Sequence, residues 1–223
     1  MRKLNLWKKT LLLALAVASC DWGWAQTPTV LPAPVEMTVE EGCFRLTDGM
    51  TIYAEKDELR PVADYFAEAM KEMSGVTLKQ VDADGTKADV RLKICKDLAP
   101  EAYRLTVDAD GVSVEAGGPA GAFYALQSVR LAIRPQDKTG IPRMHVADQP
   151  RFGYRGLMVD VSRYFVEKED LMKIIDCMSV LKLNKLHLHL TDDNGWRLEI
   201  RKYPRLTSVG AWRVDQTDRP FPD

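Results

Sequence analysis

The sequence contains few of the residues that bind metals or carry redox chemistry. Only four cysteines and three histidines occur in its 223 residues. The cysteines stand far apart, and none has the C-x-x-C spacing of zinc or redox sites. Cys177 lies beside an apolar helical stripe, so we expect it to be a small buried hydrophobe. The composition therefore favours neither a metalloprotein nor a disulfide scaffold.

An excess of charge of one sign is also lacking. The 31 Lys and Arg residues nearly balance the 32 Asp and Glu residues. A nucleic-acid-binding surface needs a basic stripe, so this balance argues against nucleic acid as a partner. A phosphate-binding loop is not indicated either. Residues 117–121 (GGPAG) match neither the G-x-G-x-x-G nor the G-x-x-x-x-G-K-S/T spacing of phosphate-binding loops, and Pro119 removes a backbone N–H donor. We interpret them as a tight turn that starts a helix.

Long apolar runs are confined to the N-terminus. Four basic residues among the first nine precede residues 11–18 (LLLALAVA), a run too short to span a bilayer. We therefore predict that residues 1–25 are a signal peptide. Two endings remain open, because VASC resembles a bacterial lipobox that would lipidate Cys20, whereas GWA before Gln26 fits ordinary cleavage. We expect an exported protein, either periplasmic or an outer-membrane or cell-surface lipoprotein that touches the membrane only through Cys20. Export permits a Cys43–Cys95 disulfide, although nothing specific favours it.

We predict that residues 28–150 form one small α/β domain, with its helices and sheet arranged as in the α+β class. Leu59, Val62, Phe66, Met70 and Met73 trace one helical stripe that Gly75 can cap, and Ala122, Leu126, Val129 and Ile133 trace a second. Strands are indicated near Phe44, at Thr51–Ala54, at Val90–Ile94, and in a hairpin that turns at Asp110-Gly111 between Tyr103–Val107 and Val112–Val114. We expect two helices that cover one face of a largely antiparallel sheet. Residues 135–150, rich in proline, glycine and charge, predict a linker at the domain boundary.

The stretch 151–213 shows a strand, a helix and a second strand. Residues 156–161 (GLMVDV) are mostly apolar, as in a strand buried on both faces. Leu171, Ile174, Ile175, Met178 and Leu181 form the stripe of a helix packed on a core. Residues 185–190 (KLHLHL) alternate between leucines on one face and His187 and His189 on the other. This order predicts a parallel βαβ unit.

Ionisable residues cluster where each of these strands should end. Asp160 and Arg163 follow the first strand, and Asp192 and Asp193 follow the second. Chemistry in parallel α/β sheets and barrels gathers at the carboxyl ends of strands, so these residues predict one edge of a polar pocket. The alternative is ordinary loop solvation, with Asp192 and Asp193 acting as helix caps.

Several rare residue combinations in this stretch resemble a known family. DVSR, HLHLTDD, GWR and GAWR resemble the start of the catalytic barrel of family-20 glycoside hydrolases, the β-N-acetylhexosaminidases. The region upstream is similar to that family's non-catalytic N-terminal domain. The resemblance implies that residues 151–223 begin a (β/α)₈ barrel, of which they supply only the first βα units.

The resemblance also implies roles for individual residues. It assigns Arg163 and Asp192 to the binding of terminal N-acetylhexosamine in a glycan, with Asp160, Asp193 and His189 as supporting residues. His187 and His189 have an H-x-H spacing that can bind zinc, but no third ligand stands nearby and the family uses no metal or other cofactor there. Trp196 and Trp212 either stack on sugar rings or pack in loops.

The residues that perform the family's chemistry do not occur in these 223 residues. In the family the sugar's own acetamido oxygen attacks the anomeric carbon, an aspartate orients that group, and a neighbouring glutamate acts as acid and base. Asp57-Glu58 stands at a helix start in the wrong domain. We therefore expect the catalytic pair to lie beyond Asp223, in a longer enzyme of which this chain is the truncated first part. Two alternatives remain: a non-catalytic surface module that binds glycans, and a structural accessory domain without a ligand.

Overall fold

The computed structural model describes residues 28–82 and 87–213. The predicted leader, including Cys20, lies outside these residues, and so do the last ten positions of the chain. The chain divides into two compact units, of which the first ends at Pro150 and the second begins at Arg151.

The first unit contains a seven-stranded sheet. Its strands are β1 (Glu36–Arg45), β2 (Thr51–Ala54), β3 (Lys79–Val81), β4 (Val90–Ile94), β5 (Tyr103–Val107), β6 (Val112–Ala116) and β7 (Gly140–Asp148). Their spatial order is β1-β7-β5-β6-β4-β2-β3. The pairs β1–β7, β7–β5 and β5–β6 are antiparallel, whereas β6–β4, β4–β2 and β2–β3 are parallel. The prediction of a largely antiparallel sheet was therefore wrong, because half of the pairings are parallel.

Two helices cover one face of this sheet, as predicted. Helix α1 (Arg60–Ser74) ends at Gly75, whose left-handed φ of 77° caps it. Helix α2 (Pro119–Ala132) begins after Gly118. The core between helices and sheet is built from both helical stripes and from the inward residues of the strands, among them Phe66, Met70, Leu126, Val129, Ile52, Leu92, Leu105 and Met144. Burial of these apolar side chains is the main stabilising contribution to the unit.

The turn before α2 confirms the interpretation of residues 117–121 as a helix start. A Cβ atom on Gly117 would lie only 1.9 Å from the carbonyl oxygen of Ala99. Such an approach leaves no room for a side chain, so glycine is required here by backbone packing.

Strand β7 corrects the predicted linker. Residues 135–150 include Gly140–Asp148, which pairs with both β1 and β5. Ile141 and Met144 are fully buried, so this segment belongs to the core. Its proline, glycine and charged residues are typical of a connection, and the pairing that makes it a strand comes from residues far away in the chain.

The second unit contains the predicted parallel βαβ arrangement. Strand β8 (Gly156–Asp160) pairs in parallel with β9 (Lys185–His189), and helix α3 (Lys168–Val180) connects them. A short helix, α4 (Arg205–Ser208), follows. Asp160 stands directly opposite His189 in the register. The carboxyl ends of both strands therefore meet, as expected for parallel neighbours.

The second unit is less buried than the sequence predicts. Leu157 and Met158 of β8 are 40% and 54% exposed, so the strand is not covered on both faces. Of the predicted stripe on α3, only Met178 is buried, and Cys177 is exposed. These expectations were wrong because the sheet of this unit has two strands among the described residues, and one neighbour per strand leaves apolar side chains uncovered.

Candidate functional site

The first part of the site is the turn that follows β8. One carboxylate oxygen of Asp160, Oδ1, accepts hydrogen bonds from the main-chain N–H groups of Ser162 and Arg163, each at 3.0 Å. This pattern, in which an aspartate side chain bonds to the backbone two and three residues ahead, favours a tight turn. The turn fixes the direction in which the Arg163 side chain leaves the backbone.

The second part follows β9. The carboxylate of Asp192 accepts the main-chain N–H of Asp193 through Oδ1 at 2.8 Å, and its Oδ2 lies 3.1 Å from His189 Nε2. Asp193 in turn accepts the N–H of Asn194 and is exposed. The structure thus places Asp192 toward His189 and Asp193 in the turn itself, where it caps local backbone.

Arg163 joins the two parts. Its Nη1 donates to Asp160 Oδ2 at 2.8 Å, and its Nη2 lies 2.6 Å from Asp192 Oδ2. Arginine has five N–H bonds. Hydrogen bonds to Asp160 and His189 use the two N–H bonds of Nη1, and Nη2 forms an ion pair with Asp192. Even with one Nη2–H assigned to that ion pair, the Nε–H and the other Nη2–H have no hydrogen-bond acceptor among residues 28–82 and 87–213. The ion pairs with Asp160 and Asp192 orient the guanidinium.

His189 lies between the arginine and the second carboxylate. Its Nε2 is 2.9 Å from Arg163 Nη1 and 3.1 Å from Asp192 Oδ2. A neutral ring nitrogen either accepts or donates, so Nε2 cannot satisfy both neighbours at once. Arg163 is always a donor, and the tautomer with its hydrogen on Nδ1 fits this shorter contact. His189 therefore contacts both Arg163 and Asp192, and its supporting role in sugar binding stays a prediction.

The electrostatics of the cluster keep all three charges in place. The main-chain N–H of Arg163, followed by its guanidinium, lowers the pKa of Asp160 below its usual range. The main-chain N–H of Asp193, followed by the positive charge of Arg163, lowers the pKa of Asp192 below its usual range. The hydrogen bond to Asp160, with the charges of Asp160 and Asp192, raises the pKa of Arg163. Near neutral pH the site therefore holds one cation between two anions.

The cluster is open on one side. The Arg163 side chain is 55% exposed, whereas Asp160, Asp192 and His189 are only 24%, 22% and 32% exposed. The carboxylates therefore form the floor and the guanidinium the accessible surface. Such an arrangement can donate two hydrogen bonds to neighbouring oxygen atoms of a ligand.

Other residues named from the sequence take peripheral positions. His187 is exposed on the same face of β9 as His189, two residues earlier. In the part of the chain that the structure describes, no group of three or more His, Cys, Asp or Glu side chains could hold a metal ion. Trp212 is exposed, and the Trp196 Nε1–H donates to the Leu198 carbonyl at 2.6 Å. Cys43 and Cys95 are free thiols rather than a disulfide.

The sequence reasoning missed the residues that hold the two loops together. Gly195 has a φ of +71°, and a Cβ there would lie 2.2 Å from the Ser162 carbonyl oxygen. Arg197 donates through Nε to the Val161 carbonyl at 2.9 Å. Both residues belong to the GWR motif, so the motif itself was the signal, but the Val161 carbonyl that Arg197 contacts lies 36 residues earlier in the chain. No local periodicity indicates such a contact.

Comparisons with known families agree over almost the whole described chain. Residues 27–149 match the model of glycosyl hydrolase family 20, domain 2. Residues 152–220 match the model of the family's catalytic domain. Both matches are to the same family, and the first covers more than half of the 223 residues.

Curated relatives show the same similarity. A beta-hexosaminidase of Porphyromonas gingivalis is 34% identical over 197 residues, which are 83% of this chain and 25% of that protein. An N,N'-diacetylchitobiase of Vibrio harveyi is 38% identical over 192 residues, or 85% of this chain and 21% of that one. The chain thus spans about a quarter or less of the length of these two relatives.

Solved structures are similar in fold as well as in sequence. A family-20 exo-beta-N-acetylglucosaminidase of Vibrio harveyi, in complex with N-acetylglucosamine, has a TM-score of 0.76 and 29% identity, covering 84% of this chain and 29% of that one. A Streptomyces plicatus N-acetyl-beta-hexosaminidase in complex with thio-NAglucal has a TM-score of 0.74 and 32% identity, covering 82% and 39%. The first unit therefore has the fold of the family's domain 2, and the second is a part of its barrel. With DVSR, HLHLTDD and GWR gathered into one cluster and both units matched, this chain belongs to glycosyl hydrolase family 20.

Proposed function

We propose that the protein is an exo-acting glycoside hydrolase that removes terminal N-acetylhexosamine from glycans by a substrate-assisted, retaining mechanism. The observation that carries the proposal is the Arg163 cluster at the carboxyl ends of β8 and β9. Its guanidinium is fixed by Asp160 and Asp192 and keeps two N–H bonds for a ligand. The similarity to hexosaminidases and to a chitobiase supports the choice of N-acetylhexosamine as the sugar.

In this mechanism Arg163 binds and orients the terminal sugar. Charged, forked donors suit sugar hydroxyl oxygens because they form short hydrogen bonds in a fixed geometry. With the sugar held, its acetamido oxygen attacks the anomeric carbon while the leaving oxygen receives a proton from a glutamic acid, which later activates water. The resemblance places this glutamate, with the aspartate that orients the acetamido group, on a later barrel strand. Asp57-Glu58 does not serve, since it forms the 3₁₀ turn before α1 in the first unit.

The test is hydrolysis of an aryl N-acetyl-β-glucosaminide by the protein translated from the complete reading frame that contains this chain. We expect release of the aryl group, and an aryl β-glucoside without the acetamido group should not be cleaved. The isolated 223-residue chain should show no turnover above background, because it lacks the acid–base pair, and general acid–base catalysis alone contributes about 10²–10⁴-fold. Turnover by the isolated chain would show that the catalytic pair has been misplaced.

The second candidate is a surface module that binds glycans without cleaving them. It is favoured by the absence of a suitable Asp-Glu pair from the 223 residues, whereas Arg163 and Asp192 are present and paired. If the protein of the complete reading frame bound N-acetylglucosamine, measured by calorimetry, and released no aryl group, this candidate would replace the first.

We also propose that the protein is exported. The support is the basic segment followed by residues 11–18, which lie outside the described residues. No helix within 28–82 or 87–213 has the length and hydropathy to cross a membrane. Mass spectrometry of the native N-terminus should find Cys20 with lipid or Gln26 without it. An intact Met1 in the cell-envelope fraction would contradict both processing sites.

A further inference from the structure

We propose that Arg197 is a positioning residue that holds Arg163 in its ligand-binding orientation. The proposal rests on the function proposed above, and it assigns a role to the arginine of the GWR motif. Arg197 does not contact Arg163. It contacts the residues on either side of it.

The contacts of Arg197 lie two residues before and two residues after Arg163. Its Nε donates to the carbonyl of Val161 at 2.9 Å. Its guanidinium carbon lies 4.9 Å from the centre of the Phe165 ring, within the range of a cation–π contact. The turn 161–165 is therefore held at both ends by one planar group, with Arg163 at its midpoint.

Arg197 also joins this turn to two further segments, one through its guanidinium and one through its main-chain N–H. Its Nη1 donates to the carbonyl of Ala211 at 2.7 Å, in the GAWR motif. The main-chain N–H of Arg197 donates to the carbonyl of Leu190 at 2.8 Å, just after β9. Only a forked donor can reach two carbonyls that lie in different directions while it stacks on a ring. Arg197 thus connects the ends of β8 and β9 and the GAWR loop.

The other main-chain ties of the turn 161–165 lie at its first three residues. Val161 N donates to the His189 carbonyl at 3.2 Å, and Asp160 accepts the amides of Ser162 and Arg163. Ser162 also donates through Oγ to the His189 carbonyl and accepts from Arg213 Nη1, each at 3.5 Å. These bonds fix the start of the turn. Without Arg197 the Phe165 ring loses its cation–π contact. The Arg163 side chain, two residues earlier, then gains freedom to move away from Asp192. A misplacement of about 1 Å in a binding group can cost about a hundredfold in rate.

The first test is a double-mutant cycle in the protein of the complete reading frame. Arg197→Lys keeps the charge and removes the fork, so we expect kcat/KM for the aryl substrate to fall by about tenfold or more. In the Arg163→Ala background the same change should lower kcat/KM by less than about twofold, since the group that it positions is gone. Arg201→Ala, at an exposed arginine four residues later, is the matched control and should behave like the wild type. Equal losses in the two backgrounds would overturn the proposal.

A second test does not depend on activity. Hydrogen exchange of the 223-residue chain should show residues 162–165 exchanging at least about tenfold faster in Arg197→Lys than in the wild type, with Tyr103–Val107 of the first unit unchanged. Unchanged exchange at 162–165 would overturn the proposal. If the wild-type protein released no aryl group, the proposed function would fail and the exchange result alone would decide the role of Arg197.

A third variant covers the case in which Arg197→Lys does not fold. Phe165→Leu removes the ring face and leaves both hydrogen bonds of Arg197 in place. We expect it to lower kcat/KM and to speed exchange at 162–165, each by about two- to fivefold, as the loss of one exposed cation–π contact implies. Wild-type values for both measurements in Phe165→Leu would overturn the proposal.

Discussion

Replacing Arg163 with alanine or lysine tests whether this residue binds the sugar or serves only as an ion-pair partner. The alanine variant removes the two N–H bonds that have no acceptor among the described residues, together with the contacts to Asp160 and Asp192. The lysine variant restores a positive charge between the two carboxylates without the fork. An ion-pair role predicts that lysine rescues the protein, whereas a binding role predicts that it does not.

The structure sets the size of the expected effect. Loss of one hydrogen bond from a charged donor to a bound ligand weakens binding by about ten- to a hundredfold. Two donors are available, but the Arg163 side chain is 55% exposed and water weakens each bond. We therefore take the value for one full bond and expect Arg163→Ala to lower kcat/KM by about ten- to a hundredfold. Arg163→Lys should recover less than about threefold of that loss.

The assay is steady-state hydrolysis of an aryl N-acetyl-β-glucosaminide by the protein of the complete reading frame, with a thermal melt of each variant. Arg201→Ala serves as the control for removal of an exposed arginine. The melts should stay close to the wild type, because Arg163 lies after a strand and not in the buried core. Near-normal kinetics for Arg163→Ala would remove this residue from the site. Full rescue by lysine, or a collapsed melt for both variants, would show that its role is structural.

Three further predictions concern the 223-residue chain itself. Tyr103→Phe removes buried hydrogen bonds to Ser128 (2.7 Å) and Asp148 (2.9 Å) and should cost about 1–3 kcal/mol of unfolding free energy. The melting temperature of Tyr103→Phe, followed by far-UV circular dichroism, should fall by several degrees, while that of a Tyr53→Phe control should not change. Coincident melts of Tyr103→Phe and the wild type would contradict the prediction. Gly195→Ala places a Cβ 2.2 Å from the Ser162 carbonyl oxygen at a φ of +71°. We therefore expect faster proteolysis of the second unit, and the same resistance to protease as in the wild type would contradict this close approach. The pKa of Asp160 is lowered on folding. Its stabilising contribution is therefore complete above the unfolded value of about 4 and is lost as the pH falls through the folded value. The free energy of unfolding of Asp160→Asn should therefore decrease less steeply with falling pH than that of the wild type. The same pH dependence for both proteins would refute this account.

Local patterns in the sequence predicted much of this protein. The apolar stripe from Leu59 to Met73 matches α1, the Asp110-Gly111 turn lies between β5 and β6, and the strand–helix–strand order of the second unit is present. These elements depend on periodicity and turn chemistry within short windows, which a single sequence contains. The meeting of Asp160, Arg163 and Asp192 at one sheet edge was predicted in the same way. Parallel strands must bring their carboxyl ends together, so residues after β8 had to meet residues after β9.

Contacts between distant residues were decided only by the tertiary structure. Strand β7 resembles a linker in composition and becomes a strand because β1 and β5 pair with it on both sides. The parallel half of the first sheet, from β6 to β3, likewise depends on which strands become neighbours. The order of strands in a sheet is a property of the whole chain, and a local window does not contain it.

The role of Arg197 shows the same limit at the site. Its acceptors, the carbonyls of Val161 and Ala211, are 36 and 14 residues away. A main-chain carbonyl carries no sequence identity, so nothing in the residue types of 161 or 211 marks them as acceptors. The sequence by itself determined that an arginine and two aspartates would meet at one sheet edge. Only the tertiary structure decided that the Arg197 guanidinium reaches the carbonyls of Val161 and Ala211, because that depends on the path of the backbone around it.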